Sequence, residues 1–322
     1  LTIVSLISVL VIYYENENNY DFFYHSGDKK SSNIIAIIEV NGLIIDSKTN
    51  LSRLSKPQII SPTSIKKYLN ELKDISPNVI IFSINSPGGT VSASKEIYDL
   101  IKEYKKHHEI EILFHTNELL ASGAYWAAIS GDKIFANYGS IIGSIGARGP
   151  DWFFYDQPKS ISTGFFGYKI DTEENIKVYS NTAGKSKDLL NQFRQPTKQE
   201  LKHLQKMVNE IYSDFVIDVS KERKIETNLL INDIGALIYT SKSAKQNHLV
   251  DEVISFDNLI KKITNENNYQ NFKIIKNLKQ RSSLLTEVLT SFFVQSNRTS
   301  NNNCLVLKSS ISVILNYKST GC

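Results

Sequence analysis

Short, near-continuous apolar runs separated by helical patterns constrain this chain of 322 residues more than any other feature. Ile34–Val40 and Val79–Ile84 are each interrupted by only one polar residue, Glu39 and Ser83. A strand with one wet face alternates apolar and polar side chains, whereas one that does not alternate is buried on both faces, as in a parallel sheet covered by helices. Glu109–Phe114 and Lys133–Ala136 read as a third and a fourth strand. Between the strands, Ser61-Pro62 opens a helix with Ile65, Tyr68, Leu69 and Leu72 at helical spacing, and Pro62 suits the first helical position. A second helix carries Val91, Ile97, Leu100, Ile101 and Tyr104 on one face. This alternation predicts an α/β fold with parallel pairing, in which the loops at the strand C-termini carry function.

Two such loops stand out. Leu119–Ser130 sets one hydroxyl, Ser122, among the small residues Ala121, Gly123 and Ala124, with an apolar helical run behind it. A serine where a strand turns into a helix projects from a helix N-terminus, whose first N–H groups are unpaired donors for developing negative charge. Ser122 is therefore a candidate nucleophile. The same residues also suit an ordinary serine N-cap with close helix packing. Asn85-Ser86-Pro87-Gly88-Gly89 ends the Val79 strand, and its paired glycines free the backbone to turn N–H groups outward, as an oxyanion site requires. A plain tight turn has the same composition.

Further along, Gly139–Ala147 reads as a strand of small residues, where another backbone can approach closely. Asp151–Lys169 is an aromatic, turn-rich segment, and Ile176–Tyr179 a short strand. Thr197-Lys198-Gln199-Glu200 is a capping box that starts a long helix with Leu201, Leu204, Val208, Ile211, Phe215 and Val219 facing inward. Ile234–Tyr239 and Thr240–Asn247 form a last strand and short helix. The expected organisation is a remnant of an N-terminal signal anchor or transmembrane segment over 1–14, a linker over 15–32, a core over 33–265 and a partly disordered extension over 266–322. Within that extension Leu284–Val294 is amphipathic. The run Leu1–Tyr14 is shorter than the roughly 20 residues of a full span, and the absence of Lys or Arg before Lys29 favours a non-cytoplasmic core.

Composition excludes several classes. The net charge of +4 is spread along the chain, so no nucleic-acid footprint is expected. Cys304 and Cys322 are the only cysteines, and the six histidines show no ligand spacing, so neither a disulfide framework nor a metal or other cofactor is expected.

Taken together, Asn85–Gly89, Ala121-Ser122-Gly123-Ala124-Tyr125-Trp126, Gly143-Ser144-Ile145-Gly146, Gly184-Lys185-Ser186-Lys187-Asp188 and Asn247-His248-Leu249-Val250-Asp251 resemble the signal peptide peptidase A (SppA) family of membrane-anchored Ser-Lys proteases. The resemblance runs from Ile34 to Ile263 and implies a single copy of a repeated strand-strand-helix core shared with ClpP and the crotonases. It implies Ser122 as nucleophile, Lys187 as general base with Lys185 as competitor, Gly89 and Gly123 as oxyanion-hole donors, and Ser144 as the residue orienting the lysine. It also implies apolar peptide substrates such as signal peptides, and a homo-oligomeric ring whose sites draw on neighbouring subunits. A lysine base has to be neutral, which burial among apolar groups favours. Two other readings share these residues: a crotonase-type acyl-CoA enzyme, with Glu118 as the nearby carboxylate, and a non-catalytic subunit of a membrane complex.

Overall fold

The computed structural model describes residues 22–46, 58–156, 160–163, 168–171, 179 and 181–277. They fall into two compact units: the described parts of Leu1–Ile145 with Val216–Cys322, and those of Gly146–Phe215.

In the first unit, β1 (Phe22–Gly27) and β2 (Ile34–Asn41) precede the two-residue strands β3 (Leu43–Ile44) and β4 (Ile59–Ile60), the helix Pro62–Ile75 and β5 (Val79–Asn85). The helix Val91–His107 leads to β6 (Glu111–Thr116), β7 (Leu119–Ala121), the short helix Gly123–Ala128, β8 (Lys133–Ala136) and β9 (Ile141–Gly143). The second unit contributes β10 (Ser160–Thr163) and β11 (Tyr168–Asp171). The first resumes with β12 (Ile238–Thr240), the helix Ser241–Gln246, β13 (Glu252–Val253), the helix Phe256–Glu266 and β14 (Lys273–Asn277).

Among the described residues the main sheet has seven strands in the order β1-β14-β2-β5-β6-β8-β13, and every pair is parallel except β1 with β14. Its two faces explain the unbroken apolar runs. Ile35, Ile37, Val79, Ile81, Leu113 and Phe135 form one buried cluster with Leu259 and Ile263 of the last helix. The intervening residues Ala36, Ile38, Ile80, Phe82 and Phe114 are equally buried, and the Phe82 and Phe114 rings stack at 4.8 Å. Burying each such side chain stabilises the fold by roughly 1.5–3 kcal/mol, so neither face tolerates the polar alternation of a half-wet strand. The expected α/β architecture with parallel pairing is observed. A second sheet, β12-β9-β7, pairs β7 parallel and β12 antiparallel to β9, and a bridge between Ser86 and Leu120 joins it to the end of β5. That junction positions the site described below.

The first helix begins as expected. The Ser61 hydroxyl accepts from the Ser64 N–H, and the Ser64 hydroxyl reciprocates toward the Ser61 N–H, with Pro62 at the first position. Other expectations need correction. Phe22–Gly27 is a strand inside the segment read as a linker, and Lys273–Asn277 is a strand inside the segment read as an extension. They pair with each other, and β14 continues the parallel sheet beside β2, so the core reaches past both limits of 33–265. Where backbone pairing gives out, the Asn277 carboxamide takes over: it accepts from the Glu39 N–H at 2.7 Å and donates to the Glu39 carbonyl at 3.1 Å.

Of the long Lys198–Arg223 helix, Phe215 and Val219 are buried as expected, but Leu201 is exposed. Within Asp151–Lys169 the described residues include a β10–β11 hairpin rather than loop alone. The small-residue strand is shorter than Gly139–Ala147, and the last segment pairs at Ile238–Thr240 instead of Ile234–Tyr239. The anchor remnant over 1–14, all of Ile176–Tyr179 but Tyr179, and Leu284–Val294 with the tail lie outside the described residues. Among the described residues no helix is long and apolar enough to cross a membrane.

Candidate active site

Ser122 sits between β7 and the Gly123–Ala128 helix with φ 54° and ψ −129°. An L-residue in this region collides with its own backbone and is strained by about 1–3 kcal/mol, so surrounding contacts must enforce it. They do so from both sides. The Ser122 N–H donates to the Gly143 carbonyl of β9 at 2.9 Å, and its carbonyl accepts the first helical hydrogen bond from Trp126 at 3.0 Å. Behind it the helix is wholly buried: the Tyr125 hydroxyl donates to the Leu249 carbonyl at 2.8 Å, and the Trp126 indole N–H donates to Asp218 at 2.8 Å. The Ser122 side chain makes no capping hydrogen bond, so the N-cap reading fails. Its hydroxyl is half-buried beside the first turn of a helix.

Against this turn lies the loop that follows β5. Gly88 has φ 97°, and a Cβ there would stand 2.7 Å from the Gly123 nitrogen and 2.9 Å from the Ser122 Cβ. Gly89 bridges in parallel to Ile44: the Ile44 N–H donates to the Gly88 carbonyl at 2.9 Å and the Thr90 N–H to the Ile44 carbonyl at 2.8 Å. In a parallel bridge of that pattern the N–H of the middle residue, Gly89, faces away from its partner strand. A Cβ on Gly123 would meet the Gly89 nitrogen at 3.4 Å and the buried Ser94 hydroxyl at 2.1 Å. Glycine at 123 is thus required by packing, and the two expected donors are neighbours. Gly88 belongs to the same cluster and was legible only as half of a glycine pair.

Ser144, also at φ 54°, directly follows the Gly143 that receives the Ser122 N–H, and its own N–H donates to the Leu237 carbonyl at 2.7 Å. The first unit therefore gathers Ser122, Gly88, Gly89, Gly123 and Ser144. Glu118, the carboxylate of the acyl-CoA reading, is exposed on the turn before β7.

Lys185 and Lys187 belong to the second unit, on a run of tight turns in which the Lys187 N–H donates to the Gly184 carbonyl at 3.2 Å. The Lys185 ammonium is engaged, donating to Gln199 at 2.7 Å, whereas Lys187 is exposed between Ser186 and Asp188. Both flanking residues are tied down. Arg194 forms a fork to both Asp188 oxygens at 2.6 and 2.8 Å, and a second one to Glu200 at 2.7 and 2.9 Å. Glu200 also accepts from the Thr197 N–H, as the capping box requires, and from Ser186.

Arg194 holds the Asp188 and Glu200 carboxyls well below their ordinary ranges. With folded pKa values depressed, the unfolded chain binds more protons below its ordinary carboxyl pKa values of 3.8 and 4.5. The stabilisation is therefore complete above that range and lost as pH falls through and below it. Urea denaturation at about pH 6 and about pH 3 should show a smaller acid loss in Glu200→Gln than in wild type. Equal losses would mean that the bridge contributes nothing.

Among the described residues no group of acidic, His or Cys side chains could hold a metal ion. A strained serine at a strand-to-helix turn, with the Gly88, Gly89 and Gly123 backbone packed beside it, meets the geometric needs of acyl transfer. The model of peptidase family S49 matches residues 104–270, more than half of the chain, and the chain belongs to that family. A provisionally named protease of Methanocaldococcus jannaschii is 34% identical over 213 residues, 65% of this chain and 64% of its own length. A provisionally named signal peptide peptidase of Enterococcus faecium is 29% identical over 69% of this chain and 60% of its own length. Protease 4 of Haemophilus influenzae is 27% identical over 71% of this chain and 34% of its own length. The matched region thus spans less than two thirds of each of these relatives.

Proposed function

We propose that the protein is a serine endopeptidase that cleaves apolar peptides, among them released signal peptides, through an acyl-enzyme. The observation that carries this reading is the Ser122 turn, where a strained backbone holds an uncapped hydroxyl beside Gly88 and Gly89. The Ser122 Oγ attacks the scissile carbonyl carbon as its proton passes to the neutral amine of Lys187, and the Gly89 and Gly123 N–H groups receive the resulting oxyanion. Collapse breaks the C–N bond, and the lysine returns the proton to the leaving amine. Water, deprotonated by the same lysine, then attacks the ester and releases Ser122. Ser144 orients the lysine amine.

Lys187 is exposed in the single chain, whereas a lysine base needs a dry environment. Assembly into a homo-oligomeric ring would provide that, with Ser122 and Lys187 of one site drawn from neighbouring subunits. An anchor over 1–14 and a non-cytoplasmic core complete the proposal.

The test is hydrolysis of an apolar fluorogenic peptide across pH by wild type, Lys187→Ala and Lys185→Ala. Wild type should gain activity toward alkaline pH, Lys187→Ala should lose it, and Lys185→Ala should retain it. Chains carrying Ser122→Ala and chains carrying Lys187→Ala, co-assembled in equal amounts, should recover about a quarter of wild-type activity if each site is shared between subunits. Full activity in a monomeric sizing-column fraction would overturn the shared site. Loss in Lys185→Ala alone would move the base by two residues.

A further inference from the structure

Asn85 is the last residue of β5, immediately ahead of the Ser86–Gly89 loop, and the chemistry proposed above makes no use of it. Its side-chain oxygen accepts three hydrogen bonds: from the Thr116 hydroxyl at 3.1 Å, from the Asn117 N–H at 3.1 Å and from the Glu118 N–H at 2.9 Å. Three donors converging on one atom fix which end of the carboxamide is oxygen. The amide nitrogen donates to the Asn41 side chain at 3.2 Å, and the backbone carbonyl accepts from Gly42 at 3.0 Å.

The three donors lie at the last residue of β6 and on the turn that connects it to β7, four to six residues before Ser122. Beyond that turn the two segments are laced together. The Ser86 N–H donates to the Leu119 carbonyl at 2.8 Å, the Ala121 N–H to the Ser86 carbonyl at 3.2 Å, and the Glu118 carbonyl accepts from Ile141 of β9 at 2.8 Å. One side chain thus grips the strand that delivers the nucleophile while its own backbone leads into the loop that delivers Gly88 and Gly89.

We infer that Asn85 is a positioning residue that sets the register between Ser122 and the Gly88–Gly89 amides. The inference rests on the serine-peptidase reading for its kinetic consequence, and on the hydrogen bonds alone for its structural one. Asn117 and Glu118 are exposed, so water replaces the acceptor for their two N–H groups. The buried Thr116 hydroxyl is left without that partner, a cost that the fold survives while the turn loses its fixed placement. A displacement of about 1 Å at a reacting centre lowers rates by up to about 10²-fold.

The experiment compares wild type, Asn85→Leu and Asn85→Asp. A carboxylate keeps every acceptor, and the Asn41 amide turns its donor end toward it, so Asn85→Asp should restore what Asn85→Leu loses. Peptide hydrolysis is expressed per site titrated with a fluorophosphonate. The expected result is a kcat for Asn85→Leu reduced about 10- to 100-fold with KM within about threefold, and a kcat for Asn85→Asp within about threefold of wild type. Amide hydrogen exchange over residues 117–123 is measured on the same proteins and should accelerate in Asn85→Leu but not in Asn85→Asp. Wild-type exchange in Asn85→Leu, or a kcat per site within threefold of wild type, overturns the inference. So does an Asn85→Asp variant as impaired as Asn85→Leu. A wild type that neither hydrolyses peptide nor takes up the label overturns the peptidase reading instead, and the exchange data still decide the role of Asn85.

Discussion

Ser122→Ala is expected to lower kcat for apolar peptide hydrolysis by about 10⁶-fold, as when a nucleophile that works as a unit with its base is removed. Its stability should barely move, because alanine has the same Cβ and suffers the same strain at φ 54°. Ser122→Gly separates the two roles of the position. Glycine adopts this backbone region freely, which relieves about 1–3 kcal/mol of strain and loses about 0.5–1 kcal/mol to the greater freedom of the unfolded chain. Urea denaturation should find Ser122→Gly about 1 kcal/mol more stable than Ser122→Ala, with both devoid of activity. A Ser122→Gly protein less stable than Ser122→Ala by about 0.5–1 kcal/mol would show that the turn is not strained. Activity retained in either variant would remove Ser122 from the chemistry.

The second large effect concerns Gly89. A Cβ there would stand 1.8 Å from the Ile44 carbonyl oxygen and 2.5 Å from its carbon. Backbone, unlike the end of a flexible side chain, cannot swing aside. Gly89→Ala must therefore break the bridge to Ile44, releasing the Thr90 and Ile44 hydrogen bonds and turning the Gly89 N–H out of line. Loss of one oxyanion donor lowers kcat by about 10²- to 10³-fold, and the overpacking should destabilise the fold by about 3 kcal/mol. Gly139 makes the comparison sharp: its φ of 85° strains any other residue, but a Cβ there meets nothing within 4 Å. Gly139→Ala should thus destabilise by about 1 kcal/mol and leave kcat unchanged. Thermal denaturation and peptide assays on the two variants decide the matter, and similar kcat values for both would refute the assigned role of Gly89.

The features legible in advance are those whose cause is local. Ile34–Val40 and Val79–Ile84 announce doubly buried parallel strands because, apart from Glu39 and Ser83, neither run has a polar side chain to turn toward water. Pro62 and the Thr197–Glu200 box mark helix starts because the unpaired N–H groups of a helix end need partners within three residues. Ser122 among Ala121, Gly123 and Ala124 was visible for the same reason, although a cap and a candidate nucleophile look alike until the backbone angles and the missing capping hydrogen bond remove the cap. By contrast, Phe22–Gly27 and Lys273–Asn277 show neither a continuous apolar run nor a clean alternation, and they are strands because they pair with each other and β14 also pairs with β2, across most of the chain.

The chain by itself determined an α/β scaffold, a serine at the end of a strand and glycines at the end of another. Tertiary structure alone decided what those residues could do. Gly123 is required because Ser94, 29 positions earlier, fills the space of its missing side chain, and Ser122 is strained because β9 grips its N–H from 21 positions later. Asn85 acquires its role only because a strand end and the turn after it, more than thirty positions away, present three donors to one oxygen. Hydrogen bonds and close contacts between distant segments leave no periodic trace in either partner, so the chemistry of the site emerges only when the parallel sheet brings the ends of its strands together.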